Sequence, residues 1–372
     1  MSDSSAAPAR AAVADTQAGL TIVVLALLLS IQPVTTDLYL PALPALTRDL
    51  SASVAAGQLT LSALLLAFGC SQLVWGPLSD RFGRRPVLLA GLAIYTLASL
   101  GSAFAPSMAL LIAWRIAQGA AMGAVVMCAR AIVRDLYTPL TGARAMSKAL
   151  TGLGLVACVC APLGGLLTVW LGWRAALLAL TGYAVLTLAL VALRMPETLA
   201  RPNPQALQPG VLLRTWGTVL RHPTFWAFSL LTTAAYGGLF TFLAASSFVF
   251  IEVLGLSRTQ YGWVLLSTAL AYFVGTFVCR YLLARHGLRR TVALAGALSL
   301  SGGTLMALVA WAGWHQPWAL LAPFYLFMLG HGIHQPCGQS GAVGPFPQAA
   351  GVASALNGFM MMLAAFAMGG WV

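Results

Sequence analysis

The chain has 372 residues, of which 60% are hydrophobic and only 8% charged. A soluble domain carries about 25% charged residues, so the composition excludes an ordinary soluble fold and points to lipid as the solvent. The formal charge of +12 does not imply nucleic acid as a partner, because the basic residues are scattered through short segments between apolar runs and form no single face.

Residues 1–18 are polar and Ala-rich and read as a disordered tail. No basic n-region precedes the first apolar run, so that run reads as a retained spanning helix rather than a cleaved leader. A bilayer is crossed by about 20 apolar residues. Eleven runs meet that length: 19–40, 55–76, 86–105, 108–134, 147–170, 173–194, 223–253, 260–283, 291–313, 317–340 and 349–371. Segment 195–222, rich in Pro, Arg and Gln, reads as a cytoplasmic linker, with 211–220 as a short amphipathic helix on the membrane surface. The expected fold is an all-α polytopic membrane protein of two six-helix pseudo-repeats, 19–194 and 223–372. Five runs follow the linker, so the second repeat is expected to lack its last helix.

Orientation follows from Lys and Arg. With the N-terminus inside, only Arg48, Arg174 and Arg258 of the 20 basic residues fall outside, and Arg115 and Arg130 fall within a run. The two halves also echo each other. Gly76-Pro-Leu-Ser-Asp-Arg-Phe-Gly-Arg-Arg85 joins runs two and three, and Arg280-Tyr-Leu-Leu-Ala-Arg-His-Gly-Leu-Arg-Arg290 joins runs eight and nine. Matched loops of this kind are the mark of duplicated transporter architecture.

Polar residues inside spanning runs are costly and tend to face a wet passage. Asp37, near the outer end of run one, is the first candidate for handling protons or substrate. Gln32, Thr35, Thr36 and Tyr39, spaced i, i+3, i+4 and i+7, share one face of that run. That face reads either as a cavity lining or as helix–helix hydrogen bonding. In run four, Arg115 and Gln118 share a face with Gly119. At 1.5 Å per residue Arg115 lies about 10 Å from the outer end, level with Asp37, which allows a switching charge pair, a static pair or an arginine that snorkels to the interface. Tyr236, Phe240, His331 and His334 read as further cavity-wall candidates, with packing as the alternative. Two histidines without a third ligand make no metal site. The six cysteines read as small packing residues. Arg130, Arg134 and Asp135 mark the inner end of run four as an anchor or an inner gate.

Three motifs carry a resemblance to a known family. Gly76-x-x-x-Asp80-Arg81-x-Gly83-Arg84-Arg85 resembles the inner-loop signature of the major facilitator superfamily. Arg115-x-x-Gln118-Gly119 resembles the signature of its fourth helix. Ala161-Pro162-Leu163-Gly164-Gly165 resembles the antiporter signature G-P-x-x-G-G, but with Ala161 for the first Gly and the Gly pair one residue early. Thr36-Asp37-Leu38-Tyr39-Leu40-Pro41, Ala129-Arg130-Ala131-Ile132-Val133-Arg134-Asp135 and Gly344-Pro345-Phe346-Pro347 are similar to stretches of the Bcr/CflA group of drug:proton antiporters. The resemblance implies rocker-switch alternating access and an inner loop that latches the two halves. It also implies export of chloramphenicol-, bicyclomycin- or sulfonamide-like molecules across the bacterial inner membrane, driven by the proton gradient, with no cofactor, no metal and no enzymatic activity. The expected partners are a drug-like small molecule, protons and the lipid bilayer, with the chain a monomer. A metabolite uniporter or importer of the same fold, or a non-transporting truncated relative, remains open at this point.

Overall fold

The computed structural model describes the backbone of residues 6–137, 139–346 and 349–371. Residues 1–5 of the expected tail, and Pro347 of the Gly344–Pro347 stretch, lie outside the described residues. All regular structure among the described residues is helical: α1 (Ala6–Asp37), α2 (Leu43–Asp49), α3 (Val54–Phe82), α4 (Arg84–Ala103), α5 (Met108–Leu136), α6 (Pro139–Leu171), α7 (Trp173–Arg194), α8 (Pro209–Leu220), α9 (Pro223–Phe248), α10 (Arg258–Trp311), α11 (Pro317–Val343) and α12 (Ala350–Trp371). The boundaries follow local chemistry. Ser53 and Ser107 cap α3 and α5, and Ser257 with Gln260 forms a capping box at α10, each supplying an acceptor to an otherwise orphaned N–H. Pro223 and Pro317 stand at the first helical position of α9 and α11, where a missing N–H costs nothing.

Three expectations are corrected. First, the tail is not irregular from residue 6 onward: α1 begins at Ala6, in a stretch whose alanines are strong helix formers. Second, α1 ends at Asp37, and the path continues through a 3-10 turn at Leu40–Ala42 and through α2. Leu40, Leu43 and Leu46 on that path are fully buried, and the combined span reaches Asp49. Asp37 is therefore interior to the span rather than at its outer end. Third, runs eight and nine form one element, α10, broken at Gly287, where φ is 70°. With the arms 258–286 and 288–311 counted separately, a helix stands at each of the eleven apolar runs, and among the described residues nine helices, α10 counted once, are long and apolar enough to cross a membrane.

The helices form two bundles, α1 with α3–α7 and α9 with α10–α12. They meet along α3 against α12 and α6 against α10. The α6 crossings rely on close backbone approach. Gly164 of α6 lies directly on the Leu38 carbonyl and Gly165 on that of Arg258, while Gly262 of α10 lies against Ala161 and Pro162. A side chain at any of these positions would separate the helices. Pro162, Gly164 and Gly165 thus mark the crossing of α6 with the α1 end and α10. The same side of the molecule is bridged by Arg48 and Glu252 at 3.4 Å. On the opposite, arginine-rich side a cavity of about 540 Å³ opens among α3, α5, α12 and the 195–222 segment.

Candidate functional site

The site is built around the end of α1. Asp37 is half-buried, and its Oδ1 accepts a hydrogen bond of 2.8 Å from Thr36 Oγ1. It lies within electrostatic reach of Cys158 and Cys160 on α6, Tyr236 on α9 and Tyr261 on α10. Those neighbours belong to both bundles, so the carboxyl sits at their junction. One turn below, Gln32 Nε2 donates to the Tyr236 hydroxyl at 3.0 Å, a direct bond between the bundles. No cation pairs with Asp37 among the described residues.

The expected charge pair with Arg115 is not made. Arg115 is fully buried inside the first bundle. Its Nη1 donates to Gln118 Oε1 at 2.6 Å and its Nη2 to the Thr35 carbonyl at 3.3 Å. The guanidinium lies 4.2 Å from the centroid of the Tyr39 ring, a geometry in which the ring face stabilises a cation. Gln118 passes the network on to Ser99 Oγ at 2.6 Å. Gln118 is therefore a partner of Arg115 and not a cavity wall. The two groups have separate partners: Arg115 bonds Gln118 and the Thr35 carbonyl, and Asp37 accepts from Thr36.

The polar face of α1 divides in the same way. Thr35 shares a hydrogen bond with the Tyr95 hydroxyl at 2.5 Å and also donates to the Ile31 carbonyl, and the Tyr39 hydroxyl meets Thr60 at 2.7 Å. Both residues are fully buried and tie α1 to α4 and α3 instead of lining a cavity. Thr36 is spent on the Gln32 carbonyl and Asp37. Of the proposed face, only Gln32 reaches the second bundle. Phe240 is also not a cavity residue: it is buried against Gly369 of α12. His331 and His334 are buried in the second bundle, and neither lines the 540 Å³ cavity. His331 continues a stack of rings on α11, 6.2 Å from Phe327, which in turn lies 5.6 Å from Phe324. No cluster of three or more His, Cys, Asp or Glu side chains forms among the described residues.

At the arginine-rich end the Gly76–Arg85 loop is a hub. Gly83 holds φ at 100°, a left-handed value that glycine adopts without strain. The turn places Arg84, whose side chain is only 4% exposed, between two carboxylates. Nη1 bonds Asp80 Oδ1 at 2.5 Å and Nε bonds Asp135 Oδ2 at 2.8 Å. The backbone N–H groups of Arg84 and Arg85 donate to Glu197 at 2.9 and 3.0 Å, so a carboxylate occupies the positive end of α4. Arg85 bonds the carbonyls of Met195 and Ala192, and the Asp80 carbonyl accepts from Asn203 N. Arg81 stays outside the hub and rests on the Phe82 ring. Burial works to raise the proton affinity of Glu197, but the N–H bonds from Leu199, Arg84, Arg85 and Thr198 outweigh it and hold the carboxyl below its ordinary range.

Asp80 pairs with a nearby arginine, as expected, and the loop's bonds stay on one side in this arrangement. Among the described residues, the side chains of Asp80, Arg84 and Arg85 bond within the first bundle and the start of the linker, not across to the second bundle. The crossing is made one helix away, where Arg130 Nη1 donates to Ser354 Oγ on α12 at 3.2 Å and Gly351 stands beside the Arg134 guanidinium. Arg130 and Arg134 border the cavity, whereas Asp135 belongs to the Arg84 hub. Glu197 was missed when 195–222 was read as a linker. Its signal was scarcity, since only 8 residues of the chain are acidic.

Buried charges inside spanning helices, two bundles and a glycine-turned basic loop between α3 and α4 describe a transporter. A family model of the Major Facilitator Superfamily matches residues 25–369. The chain belongs to this superfamily. Its relatives include the multidrug resistance protein D of Escherichia coli strain K12, 34% identical over 340 residues that cover 91% of this chain and 84% of the relative. A chloramphenicol resistance protein of Pseudomonas aeruginosa is 30% identical, covering 86% and 75%. A bicyclomycin resistance protein homolog of Haemophilus influenzae is 27% identical, covering 94% and 88%. These are names of the drug-resistance group that the sequence motifs resemble. Among solved structures, a D-xylose-proton symporter superimposes with a TM-score of 0.71 at 15% identity, covering 94% of this chain and 88% of that one. A bacterial homolog of the lysosomal transporter Spinster, in an inward-facing occupied conformation, superimposes with a TM-score of 0.72 at 16% identity. At such identity the likeness concerns the fold alone. As a superfamily member the chain is a multi-pass membrane transporter and not an enzyme.

Proposed function

We propose that this transporter exports small drug-like molecules across the bacterial inner membrane in exchange for protons. Its substrates would fall in the chloramphenicol, bicyclomycin or sulfonamide class, and its N-terminus would be cytoplasmic. The observation that carries the reading is Asp37: a carboxyl at the junction of both bundles, bonded among the described residues by one neighbouring hydroxyl and paired there with no cation. A group placed there takes or gives a proton most easily as the bundles part and water reaches it. The names of the relatives support the substrate class, and the excess of arginine on the cavity side supports the orientation.

In this mechanism the arrangement described above is the inward-open state. The seam of α6 on α10 and the Arg48–Glu252 bridge close the outer side, and substrate enters through the cavity beside Arg130. Rocking closes that mouth around the Arg130–Ser354 bond, which already joins α5 to α12 on this side, opens the outer seam and exposes Asp37 to the outside. There it loads a proton as substrate leaves, and the proton is released inward when substrate binds again. The energy source is the proton gradient. Expression in a pump-deficient host tests the reading. Resistance to one of these compounds should rise, and an uncoupler should restore its accumulation. Accumulation indifferent to the uncoupler would contradict proton-driven export.

A further inference from the structure

Away from the bundle interface, at the corner where α8 turns into α9, lies a basin of about 490 Å³. Its lining includes Leu213, Arg214, Thr218, Arg221 and His222. Arg214 and Arg221 are seven apart, two turns of α8, and so share one face. Both are exposed, and neither pairs with a carboxylate among the described residues. His222 is the N-cap of the 26-residue helix α9, so the positive end of that helix also points toward the basin. Two free guanidinium groups and a helix N-terminus favour an anion with several oxygen atoms.

The surroundings identify the rest of the ligand. Trp226 is 41% exposed and Leu230 53% exposed, and Ala234 is exposed as well. Spaced i, i+4 and i+8, they form an apolar stripe that leaves the basin and descends the outer surface of α9, within the membrane span Pro223–Val253. On α8, Leu213 and Leu220 are exposed beside the arginines. Trp226 Nε1 donates to the Leu220 carbonyl at 2.6 Å, which fixes the corner. A free phosphate would use the basin and ignore the stripe, whereas a phospholipid uses both.

We propose that the α8–α9 corner is a binding site for an anionic phospholipid, with the phosphodiester headgroup on Arg214 and Arg221 and an acyl chain along Trp226, Leu230 and Ala234. The occupied site would hold α8 against the membrane, at the end of the linker that joins the two bundles. The site does not depend on what the transporter exports.

Brominated phosphatidylglycerol and brominated phosphatidylcholine, added to the full chain in neutral detergent, provide the probe. The signal of Trp226 is the part of the tryptophan quenching that is lost in Trp226→Phe. Phosphatidylglycerol should quench it at a lower mole fraction than phosphatidylcholine. Arg214→Gln with Arg221→Gln should raise the half-quenching mole fraction by about 30-fold, given roughly one unit of surface-charge attraction per arginine. On the native chain, added salt should weaken quenching by phosphatidylglycerol and leave phosphatidylcholine unaffected, a result that needs no variant to fold. Equal quenching by the two lipids, or preference that survives the double substitution, would overturn the proposal. Displacement by excess inorganic phosphate would overturn it too and mark a free-anion site.

Discussion

The turn at Gly83 and the turn at Gly287 occupy equivalent places in the two halves, and both hold positive φ, 100° and 70°. Their surroundings differ. After Gly83, Arg84 is buried between Asp80 and Asp135, and Glu197 closes the start of α4. After Gly287, residues 288–290 are exposed, and Arg289 and Arg290 have no carboxylate partner among the described residues. The backbone turn is set by glycine and recurs wherever the repeat recurs. The charge hub needs acids, and every acid of the chain except Glu252 precedes α8. Duplication has kept the geometry of the loop twice and its chemistry once.

Substitutions can break this comparison at graded cost. The largest expected effect is Arg84→Ala, which leaves two carboxylates without a buried partner and should cost about 3 kcal/mol. Arg290→Ala should stay within about 0.5 kcal/mol. Thermal unfolding in detergent separates the two, and equal shifts would remove the asymmetry argued here. Next comes Gly83→Ala against Gly287→Ala. Each meets the left-handed penalty of roughly 1–2 kcal/mol, but a methyl at Gly83 would also approach Glu197 Oε2 to 2.5 Å, while nothing stands within 4 Å of one at Gly287. Gly83→Ala should therefore be the more damaging.

Glu197→Gln ranks below both, at no more than about 1 kcal/mol, because the carboxyl is exposed and screened. Its pH dependence has a definite sign. The folded-state affinity for a proton lies below the ordinary value of 4.5, so its contribution is complete above that value and fades as pH falls through the lower, folded value. Unfolding curves of the native chain and the variant should stay parallel from pH 6 to 8 and converge in acid. The smallest effect belongs to Gln32→Leu, which removes the single bond to Tyr236 between the bundles. It should change stability by about 1 kcal/mol or less, yet alter the transport rate, because only the interface is touched.

Much of this was legible in the residues. Hydrophobic run length located a helix at each of the eleven runs, and the Gly76–Arg85 motif located the loop that folds into the hub. The partners were less legible. Helical spacing puts Gln32, Thr35, Thr36 and Tyr39 on one face, but a face spans more than one neighbour, and only packing assigns Thr35 to Tyr95 and Gln32 to Tyr236. Helical rise allowed Asp37 and Arg115 to meet but could not say which partner each takes, and Arg115 bonds Gln118 and the Thr35 carbonyl instead. Glu197 escaped because its role depends on the start of α4, more than a hundred positions earlier in the chain. The first run ends at residue 40 by hydrophobicity, whereas the chain bends there, passes Pro41 and Pro44 and stays buried.

The central claim is that Asp37 carries the proton exchanged for substrate. Its most direct test is drug-driven proton release in inside-out vesicles containing either the native chain or Asp37→Asn. The account predicts release from the native chain and none from the variant, with the variant folded and inserted to the same level. Undiminished coupled release from Asp37→Asn would contradict it.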